Sequence, residues 1–234
     1  MSDLTPVGII IMAVLIQAFL QITPSTFMIF SHYATAKHSK KFRKELQTFY
    51  MLGAEMMAAV MLLVVYFVSF HFVMDNPWLD LGMVELGLAG VALALGIVAV
   101  FLYFRRGAGT KTFAPRRIAS NLVLKAKNIR NRSDAFLLGA LAGLPEIIFT
   151  LPLYIIVSVA LMEFQTAALG RAAMAILVVI ATVIPLIIIR LLYDNDKNLA
   201  DIQKMRAKNK NFYRLMLGGG FMMLAIILVG MAVK

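Results

Sequence analysis

Apolar residues run along this chain in six long blocks, roughly 7–33, 48–73, 81–104, 136–161, 169–192 and 213–233. Each reaches or exceeds the ~20 residues that a helix needs to cross ~30 Å of hydrocarbon. Two blocks are broken by proline beside polar residues. The first carries Gln21-Ile22-Thr23-Pro24-Ser25-Thr26, and the fourth carries Gly143-Leu144-Pro145-Glu146 and then Thr150-Leu151-Pro152. Proline removes a helix hydrogen bond and crowds the preceding turn. In lipid the freed carbonyls need a partner, so such breaks survive against protein or a water-lined cavity. The pattern predicts an all-α membrane protein with six transmembrane helices, of which the first and fourth are broken at prolines.

The blocks divide three and three. Residues 1–104 form a first three-helix repeat, 105–132 a connector, and 133–234 a second three-helix repeat. Three helices per unit turn the second unit upside down, which predicts inverted repeats. A pair of interrupted segments in two such halves points to a transporter's binding site. Pro24 aligns with either Pro145 or Pro152, and both registers stay open.

Charge orients these blocks. The net charge is +11, yet 15% of residues are charged, against about 25% in soluble domains. Lys and Arg number 23; five lie in 34–47, nine in 105–132 and seven in 190–214. The alternate connections are acidic, with Asp75 and Asp80 in one and Glu163 in the other. Basic loops stay cytoplasmic. The expected location is therefore the cell (inner) membrane, multi-pass, with both termini outside. The first block lacks a basic leader and a cleavage site, so it reads as a retained span. The charge is spent on topology, which argues against a nucleic-acid partner. Within the connector, Ile118, Leu122 and Ile129 interleave with Arg116, Arg117, Lys125, Lys127, Arg130 and Arg132. That predicts a basic amphipathic helix attracted to anionic lipid headgroups. Ser133-Asp134 reads as the N-cap of the fourth span.

Candidate chemistry is sparse. The chain has no cysteine, so disulfides, thiolate metal sites and thiol redox chemistry are excluded. Its three histidines, His32, His38 and His71, are too scattered for a local metal motif. No protease, hydrolase or nucleotide-binding signature is present. Neither an enzyme nor a cofactor or metal is expected. Glu55 and Glu146 lie well inside spans, where a carboxylate costs roughly 2.5 kcal/mol or more. At 1.5 Å per residue, Glu146 falls ~15 Å into its span and Glu55 ~10 Å. Gln17 also reaches the midplane, with Gln21 one turn beyond on the same face. The expected site gathers Gln17, Gln21, Thr23, Pro24, Ser25, Thr26, Glu55, Pro145, Glu146, Thr150 and Pro152 around one central polar cavity. A carboxyl at Glu146 would take up and release a proton as access alternates.

Glu85 is expected to be wet near the outer end of the third span. Arg171 and Arg190 are expected to snorkel to the interfaces, and Pro185 to kink the fifth helix. Gly218-Gly219-Gly220 and the Gly87, Gly90, Ala94 pattern are expected to allow close helix approach.

Broken first and fourth helices, six spans and outside termini resemble the lysine-exporter superfamily. Thr23-Pro24 matches the Thr-Pro-Gly-Pro of its amino-acid exporters, with Ser25-Thr26 replacing Gly-Pro and Lys37 to Lys44 supplying the basic loop. Phe136 to Pro145 and Thr150-Leu151-Pro152 resemble the glycine- and proline-rich helix of the superfamily's thiol-electron carriers. Their Pro-Cys pair reads Pro145-Glu146 here. The resemblance implies a small secondary transporter, exporting an amino-acid-like solute or an ion and working as a homodimer. Export of lipid or glycolipid, and a non-transporting scaffold with a basic cytoplasmic face, are the alternatives. A closed polar pocket favours solute, a sideways apolar opening favours lipid, and a fully packed interior favours a scaffold.

Overall fold

The computed structural model describes residues 4–21, 39–76, 78–103, 116–144, 147–163, 168–193 and 210–233. Among them the only regular structure is helical. The helices are α1 (Leu4–Gln21), α2 (Lys40–Met74), α3 (Leu81–Val98, extended by a π turn over Ala99–Tyr103), α4 (Arg116–Lys127), α5 (Arg132–Leu141), α6 (Ile147–Glu163), α7 (Ala168–Ile180), α8 (Ile184–Tyr193) and α9 (Lys210–Ala232). Four stretches are long and apolar enough to cross a membrane: Lys41–Met74, Leu81–Phe101, Ala168–Ile188 and Arg214–Ala232. Two shorter apolar helices, Pro6–Leu20 and Ile147–Glu163, accompany them.

The short helices belong to the two blocks that carry the proline breaks. α1 ends at Gln21; Thr23, Pro24, Ser25 and Thr26 lie outside the described residues. The fourth block divides into α5 and α6, with a turn at 142–143 between them. Pro152 does not break the chain, contrary to expectation. It sits inside α6, which continues to Glu163. The fourth block is thus interrupted upstream, where Gly143 lies. The fifth block is also interrupted, between α7 and α8. Residues 181–183 form a turn closed by Thr182 N–H to the Val179 carbonyl (3.0 Å) and Val183 N–H to the Ile180 carbonyl (2.9 Å). Thr182 Oγ1 also donates to the Val179 carbonyl (2.7 Å), and Pro185 then sits in the first turn of α8, where its missing N–H is tolerated.

The cap of α5 is Asn131 rather than Ser133 or Asp134. Asn131 Oδ1 accepts from Asp134 N–H at 2.7 Å, and Asp134 Oδ2 accepts from Arg130 N–H at 3.3 Å. The two side chains satisfy backbone donors around the first turn in both directions.

Two helix pairs close to backbone contact. In α2–α5, a Cβ on Gly139 would collide with the Tyr50 carbonyl, and one on Gly53 with the Phe136 carbonyl. In α3–α9, a Cβ on Gly96 would lie 3.0 Å from the Gly218 carbonyl, and one on Gly218 equally close to the Gly96 carbonyl. Small residues permit this approach where lipid supplies no hydrophobic drive. Gly87 and Gly90, expected at such a contact, have nothing within 4 Å of a Cβ; Gly96 serves instead.

One core joins α1, α2, α3, α6 and α9 through residues such as Ile16, Leu62, Ala92, Leu153 and Leu224. Within it the Phe149 and Phe221 rings lie 5.9 Å apart. A smaller cluster holds Leu46, Tyr50, Leu138 and Leu186 together with Leu122 and Ala126 of α4. α4 buries Leu122 and Ala126 against the bundle while Leu124 stays exposed.

Candidate functional site

Gln17 is where the bundle becomes polar. It lies three turns into α1, 1% exposed, surrounded by apolar core. Its Nε2 donates to Tyr154 Oη of α6 at 3.3 Å. Its Oε1 is buried with no hydrogen-bond partner among the described residues. An unmet buried acceptor costs ~1–3 kcal/mol, so its persistence calls for an occupant.

A cavity of about 50 Å³ opens beside this pair. Its polar lining is Gln17, Tyr50, Thr150 and Tyr154; Ala54, Met57, Ala58 and Met61 of α2 form one wall, and Gly139, Ala140, Ala142, Gly143 and Leu144 with Ile147 form another. A water needs roughly 10–15 Å³ of such volume, so the space suits a few waters or an ion-sized solute. The interruption after α5 is what shapes this wall, because Ala142, Gly143 and Leu144 line the cavity where a continuous helix would turn side chains elsewhere.

Thr150, Tyr154 and Ser158 recur every four residues and share one face of α6. Thr150 and Tyr154 line the cavity. Ser158 is fully buried and donates to the Tyr154 carbonyl at 2.7 Å. Tyr154 and Ser158 were not singled out from sequence, although their spacing from Thr150 carried the signal.

Of the eleven candidate residues, Gln17 and Thr150 line one cavity. Glu55 does not join them. Ala54, Met57, Ala58 and Met61 face the cavity, while Leu52, Glu55, Met56 and Ala59 line a separate groove between α2 and α7. One residue along a helix is a 100° rotation, which carries Glu55 off the cavity face. Gln21 is the last residue of α1, and Pro152 is half-buried in α6 and does not line the cavity. Thr23, Pro24, Ser25, Thr26, Pro145 and Glu146 lie outside the described residues.

The groove holds about 910 Å³ and is lined mainly by aliphatic residues, with Glu55 and Arg171 as its charged members. Elsewhere, Glu85 is not wet. It is 2% exposed, packed within α3. Arg190 is held by protein groups: its Nη1 donates to Thr48 Oγ1 (3.1 Å) and its Nη2 to the Lys44 carbonyl (3.4 Å), tying α8 to α2. Arg132 of α5 meets Glu45 of α2 at 2.6 Å. Among the described residues no three His, Cys, Asp or Glu side chains gather as a metal site.

Compared with known proteins, the chain matches no family model, no curated sequence and no solved structure.

Proposed function

We propose that this chain is a small secondary transporter of the cell membrane, and that a small solute passes through the cavity between α1 and α6. One observation carries the reading. The first apolar element of each half, α1 and α6, meet at a buried polar cavity whose Gln17 Oε1 has no partner among the described residues. The cavity's size favours an ion or a very small polar molecule over a whole amino acid.

The helix pairing supports two inverted repeats spanning the membrane six times. Exchange the halves, so that α1 trades with α5–α6, α2 with α7–α8, and α3 with α9. The pairs α1–α6, α2–α7 and α3–α9 map onto themselves. The α1–α9 contact maps onto α3–α6, and contacts of α1 with α7 and α8 map onto those of α2 with α5 and α6. The contact between α6 and α7 has no equally close counterpart between α1 and α2. Both termini face outward in this reading, since the basic connections stay inside. Export, and a homodimeric state, follow from the resemblance to the lysine exporters.

Glu146 lies in sequence between Leu144 and Ile147, which both line the cavity, so proton coupling is assigned to it. The test is efflux from proteoliposomes with and without a pH gradient. Glu146→Gln should lose the gradient dependence and keep the fold. Wild-type rates with unchanged gradient dependence would make Glu146 a packing residue.

The sideways-facing groove between α2 and α7 favours a second reading, in which the cargo is lipid-like and enters from the bilayer. The cavity, in turn, argues against a fully packed scaffold.

A further inference from the structure

The groove between α2 and α7 contains an unusual distribution of charge. Glu55 and Arg171 line the same apolar trough, and among the described residues neither makes an ion pair or a hydrogen bond. Each belongs to a stretch apolar enough to cross a membrane; Glu55 lies well inside its stretch, where an unpaired charge is costly, and Arg171 lies in the first turn of its own. An ionisable residue inside a membrane span, with no partner among the described residues, points to a site.

The two charges occupy opposite ends. The contacts Arg132 with Glu45, and Gly139 with Tyr50, show α5 running alongside α2 in the same direction. α6 carries the chain onward to Leu161, so Leu161 and the start of α7 lie at the Tyr66 end of the groove. α7 then returns toward Leu52. Arg171 is in the first turn of α7, near that far end, and Glu55 is near the Leu52 end. At 1.5 Å per residue the charges are separated by on the order of 10 Å along the helix axes. No ion pair among the described residues joins them.

We infer that this groove binds a lipophilic zwitterion: a molecule with a basic nitrogen at one end, for Glu55, an acid group at the other, for Arg171, and an apolar body between. A diacyl lipid does not fit, because its charges sit together in the headgroup and Glu55 would be left among acyl chains. A second copy does not fit either. Two copies of one orientation pair about an axis normal to the membrane, which sets Glu55 at the depth of Glu55 rather than of Arg171. The molecule can be cargo or a bound effector. The site deepens the lipid-like reading of the groove and does not depend on the central cavity.

The test is equilibrium binding to the full chain in maltoside micelles by calorimetry, with no gradient and no transport step, so its outcome is separate from that of the efflux assay. The probes are ω-aminododecanoate, dodecanoate and dodecylamine. The zwitterion should bind about tenfold or more tighter than either single-charge probe. Glu55→Gln should erase its advantage over dodecanoate, and Arg171→Gln its advantage over dodecylamine. Thermal unfolding without ligand checks that both variants fold. Equal binding of the three probes would overturn the proposal, as would a zwitterion preference that survives both substitutions. Binding of dodecanoate as tight as that of the zwitterion, and unchanged by Arg171→Gln, would overturn it by making the groove a plain acyl-chain slot.

Discussion

Gln17 Nε2 and Tyr154 Oη, 137 positions apart in sequence, meet across 3.3 Å in the core of an otherwise apolar bundle. The bond joins α1 to α6 beside a cavity of about 50 Å³ that both side chains line. The two side chains therefore do double duty, as a cross-link between helices and as the polar edge of the cavity.

Tyr154→Phe should destabilise the bundle by about 1–3 kcal/mol, because Gln17 then has neither polar end met. Gln17→Leu in the same chain should recover much of that loss, since no buried amide remains. Unfolding in mixed micelles of the two single variants and the double variant checks this. Strict additivity would mean that the bond contributes nothing.

Gly139→Ala and Gly53→Ala should each cost roughly 1–3 kcal/mol or more, because the added methyl meets backbone that has nowhere to go. Gly87→Ala and Gly90→Ala should be neutral or stabilising by about 0.5–1 kcal/mol, since open space surrounds both. Melting temperatures of the four variants give the comparison.

Arg190→Ala should loosen α8 from α2. Hydrogen exchange should rise over 184–193 and over the first turns of α2, with α3 and α9 unchanged. Arg190→Lys should not restore protection, because one ammonium cannot reproduce the forked contact with Thr48 Oγ1 and the Lys44 carbonyl.

Topology can be read with single cysteines, since the chain has none of its own. In intact cells, an impermeant thiol reagent should label Trp78→Cys and leave Lys40→Cys and Lys127→Cys untouched. The opposite labelling pattern would turn the protein over.

The sequence made the helices legible, because long apolar runs in lipid have few alternatives to helix. It also located the interruption near Gly143, where glycine and proline coincide. It misplaced Pro152, since a proline marks a missing donor and not the point at which a helix stops. The turn at 181–183 was placed instead at Pro185, because Ala181, Thr182 and Val183 carry no breaker of their own. Glu55 was grouped with Gln17 because α2 is apolar on all sides, and such a helix gives no sign of which face looks inward. Glu85 was read as wet from its nearness to a span end, but the close α3–α9 contact brings it under cover. Tyr154 was overlooked because an aromatic residue in an apolar run looks like packing until its hydroxyl is found facing an amide.

The glycine contacts constrain how the bundle can move. Each of the two tightest joints, α2 with α5 and α3 with α9, fastens a helix from 1–104 to a helix from 133–234. The halves of the sequence are thus not the halves of the machine. A rearrangement that opens the cavity has to leave those joints shut and slide between them, with α1 and α6, cross-linked through Gln17 and Tyr154, lying along the seam.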